Sequence, residues 1–130
     1  MNHEYYVSSE IAKLLEKAGF DWEIKTFYFN NELHETILGE AKNHNFSEAY
    51  ISAPTLEVAQ RWLREVKDID VYIFPTTNTK RECVYEWGIK TFGRALWVEG
   101  QPYTNQYETY EETQEAGIKK TLEMILEKRG

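Results

Sequence analysis

Apolar residues recur at helical spacing in three separated segments of this chain, and runs rich in β-branched and aromatic residues lie between them. Ile11, Leu14, Leu15 and Ala18 share one helical face, after Ser8 or Ser9 as N-cap. Gly19 can close that helix in the left-handed conformation, with Phe20 folding back on Leu15. Leu56, Ala59, Leu63 and Val66 form a second stripe with Trp62 on its flank, opened by Ala53-Pro54-Thr55. The spacing of Glu57 and Arg61 permits an ion pair along it. Ile118, Leu122, Ile125 and Leu126 form a third, with Thr109 and Glu112 spaced as a capping box. Gly117 within it carries the usual helical cost of glycine.

Between the first two helices, Trp22 to Phe29 and a return through Leu33, Glu35 and Ile37 flank Asn30-Asn31, a pair that tolerates positive φ. Taking the two asparagines as the loop sets Ile24 opposite Ile37, Tyr28 opposite Leu33 and, on the other face, Phe27 opposite His34. Residues 39–50 read as a polar loop. Three more strands are expected: Ile69 to Phe74, stopped by Pro75, then Glu82 to Ile89 and Arg94 to Val98. The element order is α-β-β-α-β-β-β-α. Short neighbouring strands imply an α+β fold, a mostly antiparallel sheet covered by three amphipathic helices.

At 130 residues the chain has the length of a single domain, 1–130. Fifteen Lys and Arg against 22 Asp and Glu give a net charge of −7. Residues 1–50 hold nine acids and four bases, a balance of −5, while residues 51–98 hold six and seven, a balance of +1. Duplex nucleic acid, bound by neutralising phosphates, is therefore disfavoured as a partner. The acidity suits a basic partner or simple solubility. No long apolar run and no basic-then-apolar leader is present, so neither a membrane span nor a signal peptide is expected. One cysteine, Cys83, leaves no internal disulfide and points to a cytoplasmic protein.

Chemistry leaves few marks. There is no phosphate-binding glycine loop and no nucleophile elbow. His3, His34 and His44 lack metal-ligand spacing, so no metal and no cofactor is expected. Cys83, beside Lys80 and Arg81, is read as a small buried filler of its strand rather than an activated thiol. The acids Glu108, Glu111, Glu112 and Glu115 suit the positive end of the last helix. The 19 aromatics are the unusual component, serving a core, a groove or a subunit contact. Tyr85, Trp87, Phe92 and Trp97, interleaved with bases, form the candidate interaction surface. They also resemble a stacking platform for single strands, although Glu82 and Glu86 would repel phosphates.

Several short stretches occur together: Lys17-Ala18-Gly19-Phe20, Ala53-Pro54-Thr55, Trp62-Leu63-Arg64-Glu65 and Tyr110-Glu111-Glu112 with Glu115-Ala116. In these the chain resembles small uncharacterised proteins of Bacteroides-type gut bacteria and their prophages. The resemblance implies an accessory protein of a mobile element and assigns no activity, cofactor or catalytic residue. The expected function is a non-enzymatic binding protein, acting on a protein partner or by self-association. Two alternatives stand beside it: a small enzyme using His34, Glu35 or Cys83, and an acidic decoy of a nucleic-acid-binding protein.

Overall fold

In the computed structural model the described residues are 5–46, 49–91, 97–99 and 106–129, less the side chains at 37, 46, 97–99, 128 and 129. They form an α+β fold with three α-helices and two antiparallel three-stranded sheets, in the element order expected with one short strand added before the second helix. The chain divides into two compact units, Met1–Ala59 with Leu122–Gly130, and Gln60–Thr121. Among the described residues no helix is long and apolar enough to cross a membrane.

In the first unit, α1 (Ser9–Ala18) begins where the Ser8 hydroxyl accepts the Ile11 N–H at 3.2 Å. It ends as its sequence dictates. Gly19 takes φ 99°, its N–H donates to Glu16, and the Phe20 N–H reaches back to the Leu15 carbonyl at 2.9 Å. Ile11, Ala12, Leu15, Ala18 and Phe20 are buried, while Leu14 is only half-buried.

Strands β1 (Thr26–Phe29) and β2 (Glu32–Glu35) are joined by Asn30 and Asn31 at φ 51° and 63°, the paired left-handed geometry of a type I′ turn. The expected register holds at Phe27 against His34 and Tyr28 against Leu33. It stops short of Ile37, which begins a 3₁₀ turn where Leu38 adopts φ 65°; Ile24 pairs with Lys42 instead.

The polar stretch after residue 39 contains a second 3₁₀ turn, His44–Phe46, and leads into a third strand, β3 (Ile51–Ser52), which pairs with the far edge of β1. Asn45 holds this stretch in place. Its amide donates to the Phe20 carbonyl at 2.8 Å, and its oxygen accepts the Ser52 N–H at 2.8 Å. Two residues are too short a strand to announce themselves by alternation.

Helix α2 (Leu56–Val66) starts at Thr55, whose hydroxyl accepts the Val58 N–H at 3.2 Å. Pro54 therefore precedes the cap rather than entering the first turn. Leu56, Ala59 and Leu63 are buried as the stripe requires. Trp62 is buried too, whereas Val66, the final helical residue, is 48% exposed because no further turn follows to cover it. Arg61 pairs with Glu65 at 3.3 Å, and this exposed pair adds little stability.

The second unit contains a sheet in the order β4 (Ile69–Thr77), β5 (Cys83–Thr91), β6 (Trp97–Glu99). Pro75 does not stop β4. It lies opposite Tyr85, whose N–H and carbonyl both turn the other way, to Tyr107, so Pro75 occupies a non-hydrogen-bonded position of an edge strand. Cys83, expected to fill a buried position, is exposed at the start of β5.

Helix α3 (Tyr110–Arg129) is capped by the reciprocal Thr109–Glu112 pair, 3.1 Å from the Glu112 N–H to the hydroxyl and 2.9 Å from the hydroxyl to the carboxylate. A Cβ at Gly117 would sit 2.9 Å from Val71 Cγ1 and 3.0 Å from Trp87 Cβ. The glycine is the point where helix and sheet meet closely. Beside it the Gln114 amide donates to Gln60 Oε1 at 2.7 Å, and the Gln60 amide donates to the Val71 carbonyl. The nearly buried Gln114 thereby has a polar partner.

Helix propensity favours Gly117→Ala by about 1 kcal/mol, whereas overpacking against Val71 and Trp87 costs about 1–3 kcal/mol. Urea unfolding of this variant is expected to show a lower midpoint than the parent. A higher midpoint would mean that the helix does not press on the sheet at this residue.

Candidate functional site

The alternation of β1 places Phe27 and Phe29 on one side of the first sheet and Thr26 and Tyr28 on the other. The second side is tied inward. The Thr26 hydroxyl donates to the Ala53 carbonyl, and the Tyr28 hydroxyl donates to the Val7 carbonyl at 2.7 Å. The first side carries rings.

Its inner row crosses the sheet from His34 through Phe27 to Ser52, and its outer row from Glu32 through Phe29. One step further along the β1–β3 register sets Tyr50 beside Phe29, and their ring centroids are 5.4 Å apart. Phe27 is the hub. Its ring stacks on His34 at 5.6 Å, lies 4.7 Å from His44, and meets Tyr50 edge-on at 5.1 Å. Such offset and edge contacts are favourable aromatic geometries. Phe29 and Tyr50 are each 39% exposed, and His34 is exposed as well. Glu32 stands at the rim, its carboxylate 3.8 Å from His34 Nε2.

His44 closes the inner end. It is buried, its backbone N–H donates to the Ser52 hydroxyl at 2.9 Å, and its Nε2 lies 3.0 Å from the Ile24 carbonyl. A carbonyl can only accept, so the neutral ring carries its proton on Nε2. Burial holds the imidazole below its ordinary pKa of 6.5; the hydrogen bond to Ile24 opposes the shift, and the Lys42 charge reinforces it.

The residues singled out in the sequence lie elsewhere. Tyr85 and Trp87 do share a face of β5, but it is the face against α3. Trp87 is 8% exposed beneath Gly117, and Tyr85 is half-buried, edge-on to Tyr110 at 5.9 Å. Phe92 lies outside the described residues, and Trp97 is placed in β6 with its side chain likewise outside. His34 and Glu35 fall in the first unit, on opposite faces of β2, and Cys83 in the second. Among the described residues no group of three or more His, Cys, Asp or Glu could hold a metal ion.

The opposition of Phe27 and His34 was legible from the hairpin. Tyr50 and His44 were not, because only the short β3 and the Asn45 latch bring them to the face.

The folded state resists protonation of His44, while the unfolded chain takes up that proton near pH 6.5. Its contribution to stability is therefore complete above that pH and declines as pH falls below it, levelling off under the folded-state pKa. Urea midpoints compared between the parent and His44→Gln should show this loss in the parent alone. The His44 Cε1 proton should titrate below pH 6.5 in the folded protein; titration at or above that value would contradict the burial argument. Compared with known proteins, the chain matches no family model, no curated protein and no solved structure.

Proposed function

We propose that the protein is a non-enzymatic binding protein that holds a protein partner on the aromatic side of its first sheet. The observation that carries this reading is the exposure of Phe29 and Tyr50, two large rings 5.4 Å apart. Scattered apolar exposure is ordinary on a protein surface. Packed rings on a structured sheet, underpinned by Phe27 and bordered by polar His34 and Glu32, instead match the composition of recognition surfaces.

A binding role, in preference to chemistry, is supported by the state of the polar groups. The His44 ring is committed to the Ile24 carbonyl, and its backbone to Ser52. Among the described residues, His34 has Glu32 within ion-pair distance, at 3.8 Å. The single cysteine is in keeping with a cytoplasmic setting. The resemblance at α1, α2 and α3 adds a place among the accessory proteins of mobile elements.

The protein, immobilised, should capture a partner from a bacterial lysate that a Phe29→Ser/Tyr50→Ser double variant does not. Both side chains are partly exposed, so the variant should retain the circular dichroism of the parent. Identical captured proteins from the two folded forms would remove this face from the account.

A further inference from the structure

We infer that the aromatic side of the first sheet takes a cationic side chain, an arginine of a basic partner, over Phe29 and Tyr50 with its charge toward Glu32. The inference rests on the binding reading and names the chemistry of the partner. Three observations on the same few residues carry it.

The first is register. Phe29 and Glu32 are directly opposed across the β1–β2 hairpin and therefore point to the same side. A carboxylate thus stands next to the exposed ring rather than on the reverse of the sheet. The second is the rings themselves. Phe29 and Tyr50 lie 5.4 Å apart with their planes 37° from one another, forming a shallow double face. A planar guanidinium can lie against one such face through cation–π attraction while its N–H groups meet an oxygen at the edge. Glu32 is well exposed, at 79% of its side chain, so its oxygens are available at that edge.

The third is the field. Residues 1–50 carry nine acids and four bases, which attracts cations over a longer range than the contact itself. Lys42, whose charge acts on His44 in this part of the sheet, has Glu40 3.6 Å from its ammonium. His34 adds a positive charge only when protonated, and then it competes for the same carboxylate. A nucleic-acid strand would also find rings for stacking, but its phosphates would enter a negative field with a carboxylate at the rim. An uncharged sugar would draw nothing from Glu32 as a charge.

The test uses the full chain with rings labelled for NMR, titrated with a blocked Gly-Arg-Gly-Arg-Gly peptide. A citrulline version keeps the shape and removes the charge. The arginine peptide should shift the Phe29 and Tyr50 ring signals in a saturable way, and the citrulline peptide should not. Glu32→Gln should weaken binding by about two- to fivefold, the worth of one exposed ion pair, and Phe29→Ser should weaken it further.

Equal binding of the citrulline peptide would overturn the inference, and so would indifference to Glu32→Gln. Tighter binding of oligothymidylate or of a neutral oligosaccharide at the same rings would overturn it as well. If the arginine peptide leaves both rings unmoved while the lysate partner still depends on Phe29 and Tyr50, the cationic chemistry fails and the binding face stands. If both experiments fail, the face is not a binding site.

Discussion

The two-residue turn at Asn30-Asn31 decides which side of the first sheet carries the rings. Both residues sit in the left-handed region, where asparagine is tolerated better than most side chains, and this geometry matches the natural twist of paired strands. A slip of one residue would turn Phe27 and Phe29 toward the side that Thr26 and Tyr28 now occupy. The hydroxyls of Thr26 and Tyr28 would then lose the Ala53 and Val7 carbonyls. Turn chemistry and inward hydrogen bonding therefore favour the same register, and the exposed aromatic row is its consequence.

The features legible in the sequence share one property: their partners are near in the chain. The Ser8 cap, the Gly19-Phe20 stop, the Thr109–Glu112 pair and the hairpin opposition of Phe27 and His34 each close within eight residues. The features that were not legible need distant partners. Ile24 turns to Lys42, Ile51 and Ser52 join β1, and Pro75 is admitted because Tyr85 bonds to Tyr107. Gly117 reads in sequence as a weak point of a helix. Its actual role, letting the helix backbone approach Val71 and Trp87, depends on a strand far away in the chain.

The same division explains the candidate site. Tyr85 and Trp87 were correctly assigned to one face of a strand, but pattern alone does not say which face a helix covers. Here α3 takes it, and Trp87 becomes core. The exposed rings that meet on the first sheet are Phe29 and Tyr50, which lie 21 positions apart and meet only after β3 has paired. His44 shows the cost of assembling such a face. It supplies a ring to Phe27 but must stay neutral to remain buried, which couples this part of the sheet to pH.

Which side of the first sheet faces solvent is read from the relaxation of aromatic proton signals in the presence of a neutral, soluble paramagnetic agent. The Phe29 and Tyr50 rings should relax strongly and show a mutual nuclear Overhauser effect, while the Tyr28 and Trp87 rings should be far less affected. Strong relaxation of Tyr28 with protection of Phe29 would mean that the hairpin pairs in the other register, and that the ring-bearing side of the sheet does not face solvent.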